Sequence, residues 1–187
     1  MRKERMNNKG FSLVELIIVI AIMAILAAAL APQLMKYIEK SRVSTDSTSC
    51  SSIESCVNAA LADETAYKEV AGLASTLTID AANNATDATS DFEFYIGEFK
   101  NKPVIDTKTA ADKGKVGTFI KELQGSLSNI KAPKQTGMNS YKVTIKIRKT
   151  QKENTGIDTS TTTTKEDVTE VADIKVQTVS YGVTATA

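Results

Sequence analysis

An apolar run near the N-terminus constrains the fold of this chain more than any other feature. Residues 11–31 read FSLVELIIVIAIMAILAAALA, and only Ser12 and Glu15 interrupt the apolar character. As an α-helix, these 21 residues span about 31 Å, which matches the roughly 30 Å hydrocarbon core of a bilayer. The run therefore predicts a single membrane-spanning helix, and a buried core helix is the alternative.

Basic residues flank the apolar run on both sides. Residues 1–10, MRKERMNNKG, contain four basic side chains and one acid, and Lys36, Lys40 and Arg42 follow the run. Counted alone, the positive-inside bias is therefore weak. The short leader, the single span and the long polar remainder favour a cytoplasmic N-terminus. We expect a single-pass protein of the cytoplasmic membrane whose C-terminal part is exported.

A basic start before an apolar run is also the pattern of a secretory signal peptide. The small residues that suit such a cleavage place the cut after Ala31. Pro32 would then follow the cleaved bond, and proline is a poor residue at that position. A cut one or two residues earlier is the alternative. Glu15 favours a retained helix. A carboxylate in an apolar span costs free energy, and a peptide that is discarded after cleavage has no use for such a group.

Residues 9–16, KGFSLVEL, resemble the processing site of type IV prepilins and the related pseudopilins. In that family a prepilin peptidase of the membrane cuts after the glycine and methylates the new N-terminal amine. The resemblance therefore implies a leader of residues 1–10, cleavage after Gly10 and N-methylation of Phe11. It extends to about Tyr37, and the short leader together with Phe11 is similar to the type IVa branch.

Glu15 and Pro32 match two further positions of the family. The resemblance implies that Glu15 acts in assembly by neutralising the terminal amine of an adjacent subunit. Glu15 also lies one turn from Phe11 on the same face, so the two charges can interact within one helix, and an interfacial acid that reaches water is a third reading. Pro32 removes one backbone hydrogen bond and predicts a bend in a continuing helix, with a helix end at Ala31 as the alternative.

The chain beyond Arg42 contains a second helical pattern. Residues 44–52, STDSTSCSS, have poor helix propensity, but Ile53 and Val57 then follow at amphipathic spacing. We expect one long helix over residues 11–62, of which 11–31 form the membrane or filament core. A break near Asp46, whose side chain would cap a new helix, is the alternative.

Two cysteines and no histidine limit the chemistry of the chain. The lack of histidine excludes Ser-His-Asp and Cys-His catalysis and any metal site that contains histidine. Cys50 and Cys56 lie about 9 Å apart along a continuous helix, which is too far for a bridge. Free thiols, a bridge between subunits, or a disulfide in a non-helical segment are the alternatives. We predict no enzyme, no cofactor and no metal.

The polar remainder, residues 63–187, suits one small head domain. Alternating apolar residues predict strands, and apolar residues three to four apart predict a helix. The predicted elements are strands at residues 91–100, 140–150, 171–178 and 179–184, a helix at 117–130 and a hairpin loop at 156–167. A short antiparallel sheet packed on the amphipathic helix gives an α+β fold. The resemblance implies the same arrangement, which is the pilin fold.

The best predicted strand carries basic residues on one face. We interpret Lys142, Lys146 and Arg148 as a solvated face, because a formal net charge of +1 gives little support for nucleic-acid binding. We therefore expect no specific nucleic-acid partner.

The resemblance implies a structural subunit of a type IV pilus, which serves adhesion, motility or DNA uptake. The subunit is expected in the cytoplasmic membrane before assembly and in an extracellular pilus afterwards. The implied partners are further copies in a helical homopolymer, prepilin peptidase and the pilus assembly platform. A pseudopilin or minor pilin of a type II secretion-like machine is one alternative. A single-pass, membrane-anchored extracellular binding protein is another.

Overall fold

The computed structural model describes residues 11–77, 87–97, 99, 103–108, 110–153 and 165–181. The chain divides into two compact units, an N-terminal unit (Met1–Ser41) and a head unit (Arg42–Ala187). The longest helix, α1, runs over Leu13–Ala60 and contributes residues to both units. The head unit thus contains the C-terminal part of α1 together with the domain expected at residues 63–187.

The serine-rich part of α1 is helical although its propensity is poor. Its hydroxyl groups donate to backbone carbonyls four residues earlier, at distances of 3.0–3.3 Å. The donors are Thr48, Ser49, Ser51, Ser52 and Ser55. These bonds satisfy the hydroxyl groups within the helix, so the segment needs no break to do so. The prediction of one long helix is confirmed, and the alternative of a break near Asp46 is wrong.

The head unit is an α+β domain, as predicted. After α1 come α2 (Glu64–Gly72), a 3-10 turn (Leu73–Thr76), β1 (Asp87–Gly97), β2 (Val104–Thr107), α3 (Ala110–Lys115), α4 (Gly117–Ser126), a second 3-10 turn (Leu127–Asn129), β3 (Ser140–Glu153) and β4 (Lys165–Val179). The strands form an antiparallel sheet in the order β2-β1-β3-β4. The strands predicted at residues 91–100 and 140–150 correspond to β1 and β3, and the helix at 117–130 corresponds to α4 and the turn after it.

The C-terminal strand differs from its prediction. The strand predicted at residues 171–178 lies within β4, but β4 begins earlier, at Lys165, and ends at Val179. Residues 165–170 pair with β3 although they contain only one apolar side chain, so their sequence shows no apolar period. A bulge leaves Ala172 without a partner residue opposite Lys146 and Ile147. Ser180 and Tyr181, at the start of the strand predicted at 179–184, are not in a strand. Of the expected hairpin loop, residues 165–167 belong to β4 and 156–164 lie outside the described residues, as do 182–184 of the last predicted strand.

The core of the head unit lies between one face of the sheet and the helices. The amphipathic part of α1 contributes Ile53 and Val57, both fully buried. The sheet contributes the predicted inward face of β3 and three residues of β1, and α4 contributes two large side chains. These residues are Tyr141, Val143, Ile145, Ile147, Phe92, Phe94, Ile96, Phe119 and Leu123. The rings of Phe94 and Phe119 meet edge to face at 5.8 Å, a favoured aromatic geometry.

A glutamate of α2 caps α4. The residue before α4, Val116, has no side chain that can accept a hydrogen bond. The Oε2 atom of Glu69 instead accepts hydrogen bonds from the amides of Thr118 and Phe119, at 2.9 and 3.0 Å. The carboxylate satisfies two amide groups that have no partner within α4, and it lies at the positive end of the helix dipole. This contact fixes α2 against α4.

Asp46 anchors a loop to α1. Its side chain is 1% exposed, in the middle of the helix and not at a helix start. Its two oxygens accept three hydrogen bonds of 2.8–3.0 Å from the amides of Lys134 and Gln135. The loop turns at Gly137, whose φ of 83° suits glycine, and then enters β3. A buried carboxylate needs such donors, and the loop amides supply them.

Tyr141 lies beside the same anchor. Its ring is fully buried, and its hydroxyl donates to the carbonyl of Lys131 at 3.1 Å. Burial raises the pKa of Tyr141 to about 12, and the negative charge of Asp46 contributes to the rise. The phenol therefore remains protonated in the folded chain at a pH where a solvated tyrosine ionises.

We predict that Asp46→Ala destabilises the head unit by about 2–4 kcal/mol, because the amides of Lys134 and Gln135 lose a charged acceptor. Asp46→Asn keeps one acceptor oxygen and should lose about half as much. The measurement is chemical denaturation of the detergent-solubilised chain followed by near-ultraviolet circular dichroism. Glu54→Ala, an exposed change on the same helix, is the control and should stay within about 0.5 kcal/mol. An Asp46→Ala variant as stable as this control would contradict the anchor.

We predict that stability falls between about pH 10 and pH 12 partly through Tyr141. In the folded chain the Tyr141 hydroxyl keeps its proton above the ordinary pKa of 10.0. Its contribution to the free energy of unfolding is therefore complete below that pH and is lost as the pH approaches 12. Tyr141→Phe should remove up to about 2.7 kcal/mol of this fall. Denaturation curves at several pH values measure it, with Tyr37→Phe, an exposed change, as control. Equal slopes for Tyr141→Phe and the parent would contradict the assignment.

Candidate processing and assembly site

The start of α1 places Glu15 in its first turn. The amide of Leu16 donates to the carbonyl of Ser12 at 3.2 Å, so Ser12 is the residue that caps the helix. A serine followed three residues later by glutamate is the spacing of a capping box. The partial positive charge of the helix N-terminus favours a carboxylate at this point. The sequence therefore fixes the acid near the end of the helix and not in its middle.

The N-terminal unit presents an apolar surface on all sides of α1. The large apolar side chains from Phe11 to Ile38 are between 41% and 82% exposed. Among the described residues, this helix is long and apolar enough to cross a membrane, and none of its most apolar segment is buried. A surface of this size in water would drive association, so a bilayer or other protein must cover it. The apolar helix is consistent with membrane anchoring.

Glu15 is the only charged residue between Phe11 and Met35. In an apolar environment its carboxylate needs a cation or a hydrogen-bond donor. A chain that begins at Phe11 has its terminal amine four residues before this acid. Phe11 precedes α1, Glu15 lies in its first turn, and both residues are exposed. Gly10 and the rest of the leader lie outside the described residues, so processing and the assembly role of Glu15 stay predictions.

Pro32 lies within α1, and the helix continues to Ala60. The alternative of a helix end at Ala31 is therefore wrong. Proline cannot donate to the carbonyl four residues earlier, so one hydrogen bond of the helix is missing at Ala28. The bend at this position stays a prediction.

The two cysteines are free thiols and are both half-buried. Burial raises the pKa of both thiols, and for Cys50 the nearby Asp46 adds to the rise. The Sγ atom of Cys56 contacts the carbonyl of Ser126 at 3.6 Å. Both residues lie in the continuous part of α1, where the spacing does not allow the internal bridge. Raised pKa values indicate thiols with little thiolate at neutral pH, and a bridge between subunits stays a prediction.

Acidic side chains pair with the basic face of β3. Lys142 contacts Glu93 on β1 at 2.6 Å, and Arg148 contacts Glu170 on β4 at 3.8 Å. Lys108 approaches Glu93 at 3.2 Å from the other side. The hydrogen bond from Lys142 lowers the pKa of Glu93, so the pair is charged at neutral pH. These partners offset positive charge that the sequence alone presents as a basic row.

The end of β4 is tied to the rest of the sheet by Tyr181. Its ring stacks on Tyr95 at 3.8 Å, with the planes 12° apart. Its amide donates to Oδ1 of Asn139 at 2.7 Å, and its carbonyl accepts from the hydroxyl of Ser140 at 2.7 Å. These contacts join the residue after β4 to β1 and to the start of β3. The sequence analysis did not find them, because no local pattern signals an aromatic pair 86 residues apart.

The family comparison identifies the N-terminal segment. Residues 5–31 match the family model described as the prokaryotic N-terminal methylation motif, which is the leader signature of type IV prepilins. The comparisons with curated proteins and with solved structures give no match. The resemblance seen in the sequence is therefore confirmed for the leader and the apolar part of α1. The motif indicates a precursor of the type IV pilin or pseudopilin kind, which implies processing by prepilin peptidase.

Proposed function

We propose that this chain, whose residues 5–31 carry a prepilin leader signature, is a structural subunit of a type IV pilus. One observation supports the proposal above all others. The motif coincides with a helix whose apolar surface is exposed throughout, which is the property that a filament core requires. Families with this motif are structural subunits, and we propose no enzymatic activity.

Processing is the first step of the proposed function. Prepilin peptidase cuts after Gly10 on the cytoplasmic side and methylates the amine of Phe11. A glycine before the cleaved bond has no side chain, so the enzyme can approach the backbone closely. The cut removes the leader and leaves the whole apolar part of α1 on the mature chain. The mature subunit remains in the cytoplasmic membrane with its N-terminus inside.

Assembly exchanges lipid for protein around the apolar helix. Each Å² of apolar surface kept from water contributes about 25 cal/mol, so α1 is stable in a bilayer or in a bundle of its own copies but not in water. On the assembly platform the helices leave the bilayer and pack together as the core of an extracellular pilus. The contacts are heterologous and do not close, which gives a helical homopolymer instead of a ring.

Glu15 sets the register of the subunits in this proposal. Among apolar helices its carboxylate is costly unless a cation lies beside it. The terminal amine of Phe11 from an adjacent copy provides that cation at one axial offset only. The position of Glu15 in the first turn of α1 supports this role, because the carboxylate then lies near the helix end where such an amine would be.

The leader signature is shared by pilins and pseudopilins, so the pseudopilin or minor pilin role is the second candidate function. The two differ in abundance. A main subunit dominates the protein of sheared surface fibres, whereas a minor pilin or pseudopilin is a trace component of them.

We predict that the mature chain begins at N-methylated Phe11. Intact-mass analysis and N-terminal peptide mapping of the mature protein from membranes and fibres measure this directly. Gly10→Val should leave the full-length precursor in the membrane, because the added side chain blocks approach to the bond. Asn8→Val, which places the same side chain two residues before Gly10, is the control and should be cleaved normally. A mature chain that starts at Met1, Leu30 or later would contradict the proposal.

We predict that Glu15→Ala lowers the yield of sheared fibres by at least about tenfold. Without this carboxylate the terminal amine of the adjacent subunit is a buried charge with no partner, which costs on the order of 3–5 kcal/mol. The mature subunit should still be processed and present in the membrane at its usual level. Quantitative immunoblots of the sheared and membrane fractions measure both. The control is Glu122→Ala, which changes an exposed acid in the head unit. Normal fibres at normal yield from Glu15→Ala would remove the assembly role.

A further inference from the structure

Two basic residues beyond the apolar span have no role in the proposed function. Lys36 and Lys40 are exposed and lie one turn apart on the same face of α1. Between them, Tyr37 is 70% exposed, and Glu39 is half-buried and offsets one of the positive charges nearby. Positive charges on the exported side of a span oppose its preferred orientation. Their presence there raises the question of what these two charges contact.

The position of these residues along α1 matches the headgroup layer of a bilayer. The apolar run ends at Ala31; Lys36 follows about 7.5 Å further along the axis and Lys40 about 13.5 Å further, so the Lys40 side chain has to reach back by about one turn. The headgroup region extends about 5–8 Å beyond each side of the hydrocarbon core. Helical side chains tilt towards the N-terminus, so both lysines lean back towards the membrane, and their flexible stems extend that reach. Tyr37 is of the residue type that lies at this depth in membrane proteins.

We propose that Lys36 and Lys40 bind the anionic headgroups of phospholipids in the outer leaflet while the subunit waits in the membrane. This inference rests on the membrane-spanning step of the proposed function. Two ammonium groups one turn apart complement phosphate and other anionic headgroup oxygens, and the exposed ring of Tyr37 covers the boundary between chains and headgroups. The contact fixes the depth of α1 in the bilayer, and it is released when the helix is extracted into the pilus.

A second copy of the chain is the competing occupant. In the head unit, α1 and β4 enclose a groove of about 180 Å³ whose lining includes Glu54 and Asp173. These acids can attract lysines of another subunit. The groove is wide open and its acids face water, so charge alone gives it little selectivity. The membrane position of Lys36 and Lys40 favours lipid as the occupant before assembly, and the experiment separates the two.

The test uses a single tryptophan, because the chain has none. Tyr37→Trp places the fluorophore between the two lysines in the full chain, reconstituted in phosphatidylcholine vesicles that contain phosphatidylglycerol. Quenching by brominated phosphatidylglycerol is compared with quenching by brominated phosphatidylcholine at equal mole fraction. We expect a preference for the anionic lipid of about fivefold for each lysine at the surface, falling at high salt. Lys36→Gln with Lys40→Gln should bring the ratio close to one.

The matched control is Lys121→Gln with Lys131→Gln, which removes the same charge from exposed positions of the head unit and should keep the preference. Equal quenching by both lipids in the Tyr37→Trp parent would overturn the inference. An unchanged quenching ratio in the double variant, Lys36→Gln with Lys40→Gln, would also overturn it. If that variant in addition loses its fibres, the lysines contact a second copy of the chain instead. If neither lipid quenches Trp at position 37 and alkaline washing extracts the protein, the membrane-spanning step of the proposed function fails instead.

Discussion

The exclusion of apolar surface from water governs this chain. A helix of this composition that shields none of its own apolar side chains has two stable environments, the hydrocarbon of a bilayer and a bundle of similar helices. The proposed function uses both environments in turn, the bilayer before assembly and the bundle after it. In that proposal Glu15, the one charged residue between Phe11 and Met35, selects the axial offset of neighbouring helices, because apolar contact alone does not select one.

In the head unit, the C-terminal part of α1 packs against the sheet with one apolar face and is polar on the others. Here α1 turns one apolar stripe, with Ile53 and Val57, towards the sheet and covers its other faces with serine and threonine. Hydroxyl groups bonded to their own helix keep this part soluble and helical at once. The polar anchors of the domain are carboxylates that accept backbone amides. Asp46 holds the loop before β3, and Glu69 holds the start of α4.

The sequence predicted the features that arise from local periodicity. The apolar run, the stripe of α1, the alternation of β3 and the leader motif each depend on residues close together in the chain. It missed α2 and β2, which are short and weakly patterned, and it missed the first part of β4, where residues 165–170 contain a single apolar side chain. For Asp46 the sequence offered only the alternative role of a helix cap, since side-chain spacing does not reveal that an amide 88 residues away would satisfy its carboxylate. Long-range polar contacts of this kind carry no local signal.

The anchor at Asp46 also has a mechanical meaning. The amides of Lys134 and Gln135 make all three hydrogen bonds to one carboxylate, so a displacement of the loop away from α1 strains the three together. Separating the loop from the helix would leave a buried charge without these donors, which ties the start of β3 to this part of α1. The apolar part of α1 has the opposite property at Pro32, whose ring leaves the carbonyl of Ala28 without its helical donor.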